Sequence, residues 1–173
     1  MTRQTQQGFL LSRNWRDHGA GIELEYWFAT DKGPLRCVIT EQRSVFFLRH
    51  GELEAARPVL SAQQRLEVKA LDLRAFDGDP VHGCYFHSYR QARQCADVLR
   101  DMGLDPLEAD INPADRFLTE RFVAGSAEIT GEMEEGPGYR LVRQPVLRPT
   151  HYRPPLKVAS IDIETAMQGI QLY

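Results

Sequence analysis

Ile22-Glu23-Leu24-Glu25-Tyr26-Trp27-Phe28-Ala29-Thr30, then Asp31-Lys32-Gly33-Pro34, then Leu35-Arg36-Cys37-Val38-Ile39-Thr40, is the stretch that decides the fold class. The first run is apolar and rich in aromatics, which suits a pleated, half-buried surface. The middle four residues form a turn, because Gly tolerates positive φ and Pro fixes its own. The third run returns as the antiparallel partner, so residues 22–40 predict a β-hairpin. Gly8 to Trp15 and Ser44 to Arg49 predict strands on either side of it. The opening part of the chain therefore predicts an antiparallel β structure with short connections.

Further along, helices join the strands. Glu52 to Leu60 spaces Leu53, Ala56 and Leu60 as a short helix weakened by Pro58. Leu66 to Leu73 and Val81 to Phe86 predict strands around Asp77-Gly78-Asp79-Pro80. Ser88 caps a helix over Tyr89 to Met102 that Gly103 stops. Leu104 to Ile111 predicts a short strand. Asn112-Pro113 then supplies a cap and a first-turn proline for a helix over Ala114 to Phe122. Ala127 to Glu132 and Tyr139 to Val146 predict two further strands. The expectation is an α+β fold, mainly antiparallel β with two main helices. Residues 1–147 form its body, 148–155 a proline-rich connector, and 156–173 the start of a second domain.

Composition is that of an ordinary globular chain: 173 residues, 42% hydrophobic, 26% charged and a formal net charge of -3. That charge gives no global attraction to nucleic acid, so any DNA contact needs a local basic surface. Cys37, Cys84 and Cys95 lack metal-ligand spacing and read as reduced cytosolic cysteines. No apolar stretch reaches the roughly 18 residues needed to span a membrane. Met1 to Gln7 is polar, without the apolar region of a secretory signal.

Near its end the chain reads Leu156-Lys157-Val158-Ala159-Ser160-Ile161-Asp162-Ile163-Glu164-Thr165. On a strand, Asp162 and Glu164 would share one face while Ile161 and Ile163 turned to a core. Two such carboxylates suit Mg²⁺ or Mn²⁺. An Asp-x-Glu triplet on a solvated surface is the competing reading, since the chain holds 24 acidic residues. Only nine residues follow Glu164, so the other walls of such a site are expected to lie outside this sequence.

Several segments, in order and spacing, resemble family B DNA polymerases of bacteria. They are Gly8-Phe9-Leu10-Leu11, Asn14-Trp15-Arg16-Asp17, Tyr26 to Leu35, Glu108-Ala109-Asp110-Ile111, Arg116 to Phe122, Tyr152-Arg153-Pro154-Pro155-Leu156 and Ser160 to Thr165. The resemblance implies an N-terminal domain followed by the first strand of a ribonuclease-H-like 3′→5′ exonuclease. Asp162 and Glu164 would then be its first catalytic acids, binding two divalent ions that activate water and stabilise the leaving oxygen. It further implies a parent enzyme that copies DNA in replication and repair synthesis. The implied partners are primer-template or single-stranded DNA, the remaining exonuclease and polymerase domains, and a sliding clamp reached through the C-terminal part. A cytoplasmic, nucleoid-associated location follows, and the piece alone is expected to be inactive.

For DNA contact the candidates are Arg116, Arg121, Arg140 and Arg143, with Phe117 and Phe122 interleaved on the short helix. The competing reading has the phenylalanines packing a core while the arginines solvate its surface. Trp15, Tyr26, Trp27 and Phe28 likewise read either as a stacking platform or as cross-strand packing. Glu108 and Asp110 form a second acidic pair, with Asp110 read as a partner for Arg116 or a helix cap. Two readings without a polymerase parent also stand: a self-contained binding module, and a small metal-dependent nuclease.

Overall fold

A computed structural model describes residues 3–156 and 158–162. Among them, Arg3–His18 (β1), Gly21–Thr30 (β2) and Gly33–Gln42 (β3) form a meander of antiparallel pairs. Thr30 Oγ1 donates to the Gly33 carbonyl at 2.6 Å and accepts from Lys32 N–H at 3.2 Å, closing the turn read from Asp31 to Pro34. Ser126–Glu135 (β7) pairs with the first half of β1, and Arg140–Arg143 (β8) joins β7 to β3. The ring β1-β2-β3-β8-β7-β1 is thereby closed. The β3–β8 contact is parallel, the one departure among these strands from the antiparallel expectation. A helix, Pro113–Thr119 (α3), precedes β7 and packs into the ring's interior. Strand order and closure are those of the five-stranded Greek-key barrels to which oligonucleotide-binding folds belong.

β1 serves two partners because it bends. Its first half pairs with β7 and its second with β2, with a register shift between Leu10 and Ser12. Gly8 stands at the bend, where a Cβ would lie 2.9 Å from Phe28 Cβ, so only glycine lets the strands pass this closely. Alternation along β2 sends Ile22, Leu24, Tyr26 and Phe28 inward, all buried with Leu35, Cys37, Ile129 and Val142. Tyr26 and Phe28 are therefore core, with the Tyr26 hydroxyl donating to the Ala114 carbonyl at 2.9 Å.

Between β3 and α3 the chain builds a second unit. Ser44–Arg49 (β4), Glu67–Arg74 (β5) and Pro80–Phe86 (β6) form a separate sheet in the order β4-β6-β5. Leu53–Ser61 (α1) and Tyr89–Asp101 (α2) cover one of its faces. Phe46, Leu48, Cys84, Phe86, Ala92, Cys95, Ala96 and Leu99 make its own core. The joint with the barrel is polar and specific. The Asp17 carboxylate at the end of β1 accepts from Ser88 Oγ at 2.9 Å and from the backbone N–H groups of Tyr89 and Arg90 at 2.8 and 3.2 Å. It thus caps α2 from the neighbouring unit, while Ser88 Oγ accepts from Gln91 N–H at 3.2 Å. Trp15 meets Tyr89 edge-on, with ring centroids 4.7 Å apart.

Three expectations need correction. Residues 104–111 form no strand beyond a single bridge, Phe47 to Leu107, because Pro106 lacks a donor and Glu108 turns to a φ of 55°. The strand read over Tyr139 to Val146 is two, β8 and Val146–Pro149 (β9), parted by Gln144 at a φ of 49° and by Pro145. The strand expected from Leu156 to Glu164 has no counterpart among its described residues, 156 and 158–162. Val158 and Ile161 are 90% and 86% exposed there, whereas a core strand would have buried Ile161.

Candidate nucleic-acid interface

The predicted arginines go separate ways. Arg116 leaves α3 largely buried, in an ion pair with Glu108 at 2.9 Å and with its guanidinium 5.5 Å from the centre of the Phe47 ring. Glu108, rather than Asp110, is thus its partner, and the cap of α3 is Asn112, whose side chain accepts from Asp115 N–H at 2.9 Å. Arg121 donates to the Phe117 carbonyl at 2.9 Å, its guanidinium 3.4 Å from that ring's centre. Arg140 is 7% exposed and donates to Gln6 Oε1 at 2.6 Å and Thr30 Oγ1 at 3.0 Å, bracing β8 against β1 and β2. Its position inside the barrel puts it out of reach of a phosphate backbone. Of the four, Arg143 is exposed and forms no ion pair among the described residues.

The aromatic face on β2 is closed by its own charges. Trp27 stands half-exposed, its indole N–H donating to Glu25 at 2.9 Å, with Tyr139 edge-on at 5.1 Å and Arg36 5.9 Å from its centre. Burial pushes the Glu25 carboxyl up, but Trp27 and Arg36 outweigh it and hold its pKa below the ordinary value. Arg36 is matched by Glu25 and Arg16 by Glu23, leaving little net attraction for a phosphate backbone.

A different surface gathers aromatic rings and a cation without an acid. An open groove of about 900 Å³ lies where the end of α3, the start of β7 and the segment after β9 meet. Phe9, Phe122, Gly125, Ser126, Tyr152 and Arg153 line it, and its lining holds no carboxylate. Its far wall is pinned: Tyr152 donates to Asp31 at 2.6 Å, while Ser126 Oγ donates to the Tyr152 carbonyl. The sequence read Phe122 as a residue of the helix. Instead α3 ends at Thr119, with Val123 N–H donating to the Leu118 carbonyl at 3.0 Å and Phe122 N–H to Thr119 at 3.0 Å. That pattern puts Phe122 at the left-handed position after the helix, with a φ of 56°, where glycine is usual. Phe117 is 7% exposed and Phe122 84%.

Asp162 is exposed, and Glu164 lies outside the described residues. Among the described residues no group of three His, Cys, Asp or Glu side chains converges as a metal site. The three cysteines are free and buried; burial pushes the Cys84 thiol up to about 12 and the Cys95 thiol up to about 11, which keeps both protonated and inert. No described helix is long and apolar enough to cross a membrane.

Comparison with known proteins gives this fold its class. It matches the structure of the family B DNA polymerase from the hyperthermophilic archaeon Pyrobaculum calidifontis with a TM-score of 0.67, at 20% identity over 87% of this chain and 21% of that one. At that identity the likeness is one of fold. Residues 8–43 match the family described as DNA polymerase II, N-terminal, and residues 44–104 that described as DNA polymerase II, insertion domain. These matches cover the barrel from Gly8 through β3 and the whole second unit. The chain is also 38% identical over 168 residues to DNA polymerase II of Escherichia coli (strain K12), covering 97% of this chain. It belongs to the DNA polymerase II family. It spans 21% of the length of the Escherichia coli relative.

Proposed function

We propose that this chain serves as the N-terminal, template-facing part of a DNA-directed DNA polymerase with a 3′→5′ proofreading exonuclease. The observation that carries the reading is the 38% identity to a DNA polymerase II across 97% of the chain. In a longer protein, Asp162 and Glu164 would supply the first acids of the exonuclease and take Mg²⁺ or Mn²⁺ with carboxylates from elsewhere. Residues 1–147, 148–155 and 156–173 would be the N-terminal domain, the connector and the opening of the exonuclease. The setting is cytoplasmic replication and repair synthesis, with a sliding clamp as a further partner of the whole enzyme.

The described part contributes structure and DNA contact. Exposed arginines without ion-pair partners among the described residues, Arg143, Arg148 and Arg153, supply the positive charge. The test is anisotropy of a labelled single-stranded oligodeoxynucleotide against this chain over a salt series. Binding should weaken with salt at a logarithmic slope of about 0.7 per phosphate contacted. A chain that binds no strand at low salt would leave a purely structural role.

A further inference from the structure

We infer that the free edge of the inserted sheet pairs with itself, so that two copies of this chain join through antiparallel β5 strands about a two-fold axis at Val68. The sheet has two edges, and they differ. Along β4 a loop closes the edge, with Phe47 N–H donating to the Leu107 carbonyl at 3.0 Å and Leu107 N–H to the Phe47 carbonyl at 2.8 Å. β5 pairs with β6 on one side and has no strand on its other side among the described residues. Its outward N–H and C=O groups suit an extended backbone, which a sheet edge binds through main-chain hydrogen bonds. Beside that edge runs an open cleft of about 420 Å³ against α1, with Leu53, Leu60, Leu66 and Val68 as its apolar lining.

The order of residues on β5 selects a second copy as the occupant. Pairing with β6 is regular over Glu67, Val68, Lys69 and Ala70, and a register shift ends it before Arg74. Val68 stands opposite Cys84, a residue of the helix-covered core, so Glu67 and Lys69 share the other face. With the axis at Val68, Val68 meets Val68 of the second copy and Leu66 meets its Ala70, all on the cleft side. On the other face Glu67 meets Lys69 of the second copy, and Lys69 meets its Glu67. Both side chains are exposed, and within one chain they already form an ion pair at 2.9 Å. Moving the axis by one residue sets Glu67 on Glu67 or Lys69 on Lys69, so charge fixes the register. An axis through a residue pair relates the copies by rotation alone, which gives a closed, isologous dimer. The joined sheet runs β4-β6-β5-β5-β6-β4 and leaves only the loop-closed edges outside. Val68, 41% exposed in the single chain, and the two clefts then lie together on one face of it.

The test is sedimentation velocity of the whole chain without DNA. The wild type should pass from monomer to dimer between about 10 µM and about 1 mM. Glu67→Lys leaves the face opposite the cleft with cations only, and Lys69→Glu leaves it with carboxylates only. Each variant alone should stay monomeric over that range with an unchanged circular dichroism spectrum, and an equal mixture of the two should recover the dimer. A second measurement reads the register. Val68→Cys should cross-link to its own copy on oxidation, because opposite Cα atoms about 4.5–5.5 Å apart lie within disulfide reach. Ala70→Cys should not, since its counterpart lies four residues further along the strand, about 13 Å away. The native cysteines are buried and leave this readout clear. A wild-type chain that stays monomeric at about 1 mM overturns the dimer. So does a mixture that stays monomeric, a dimer that persists in either charge variant alone, or cross-linking of Ala70→Cys as fast as of Val68→Cys. None of these outcomes touches the proposed template-facing role.

Discussion

The barrel and the three-stranded unit inserted in it reach stability by different routes. The barrel joins β1, β2, β3, β8 and β7 in a closed ring, so each of these strands has a partner to either hand along part of its length. The inserted sheet has an edge, β5, along which Val68 and Leu73 are 41% and 55% exposed. Its helices cover one face, and the first turn of α2 depends on a carboxylate that belongs to the barrel. Closure makes one unit self-sufficient, while the other leans on its neighbour.

The largest effect that would sharpen this contrast comes from emptying each core in turn. Phe28→Ala should cost about 3–5 kcal/mol and lower the urea midpoint of the whole chain, since the barrel ring and the Asp17 cap fail together. Phe46→Ala should cost a similar amount locally, yet hydrogen exchange should show only β4, β6 and the two covering helices opening early. Loss of protection in β2 on Phe46→Ala would break the comparison. Of intermediate size, Asp17→Ala should cost about 1–2 kcal/mol and speed exchange at Tyr89, Arg90 and Gln91. Exchange there at the wild-type rate would mean that the inserted unit holds its helix unaided. The smallest effect is acid sensitivity at the barrel's outer face. Glu25 has a lowered folded-state pKa, so its contribution is present above the ordinary value of 4.5 and fades as pH falls through the lowered one. Glu25→Gln should flatten the stability profile in that acid window while leaving the inserted unit's profile unchanged.

What was legible in the sequence follows the range of the forces involved. The Asp31 to Pro34 turn, the Ser88 and Asn112 caps and the strand Ser44–Arg49 rest on local chemistry, and each stands where the sequence put it. Leu104 to Ile111 and Tyr139 to Val146 were misread because Pro106 and Pro145 outweigh the apolar residues around them. That Ser44–Arg49 opens a second core, rather than a fourth barrel strand, depends on partners as distant as Ala96 and Leu99 and was not legible. At the candidate site, Arg143 could be named as exposed, but the burial of Arg140 follows from barrel closure. Phe122 was named beside Phe117 as a residue of the helix, since its spacing from Leu118 is helical, but that it leaves the helix was not legible, and the left-handed turn sends the two rings apart.

The double duty of β1 also bears on the order in which the molecule can assemble. Gly8 and Phe9 close the ring against Ala127 and Ser126, partners more than a hundred residues away. At a synthesis rate of about 5–20 residues per second, the first half of β1 waits roughly 6–24 s for them. If residues 44–104 fold first, the span left to close is about halved, which eases closure by only about 0.6 kcal/mol. The insertion therefore sets the sequence of events more than the final balance. During the wait β1 presents Arg3-Gln4-Thr5-Gln6-Gln7, a wholly polar run that gives a lone strand little reason to seek the wrong neighbour.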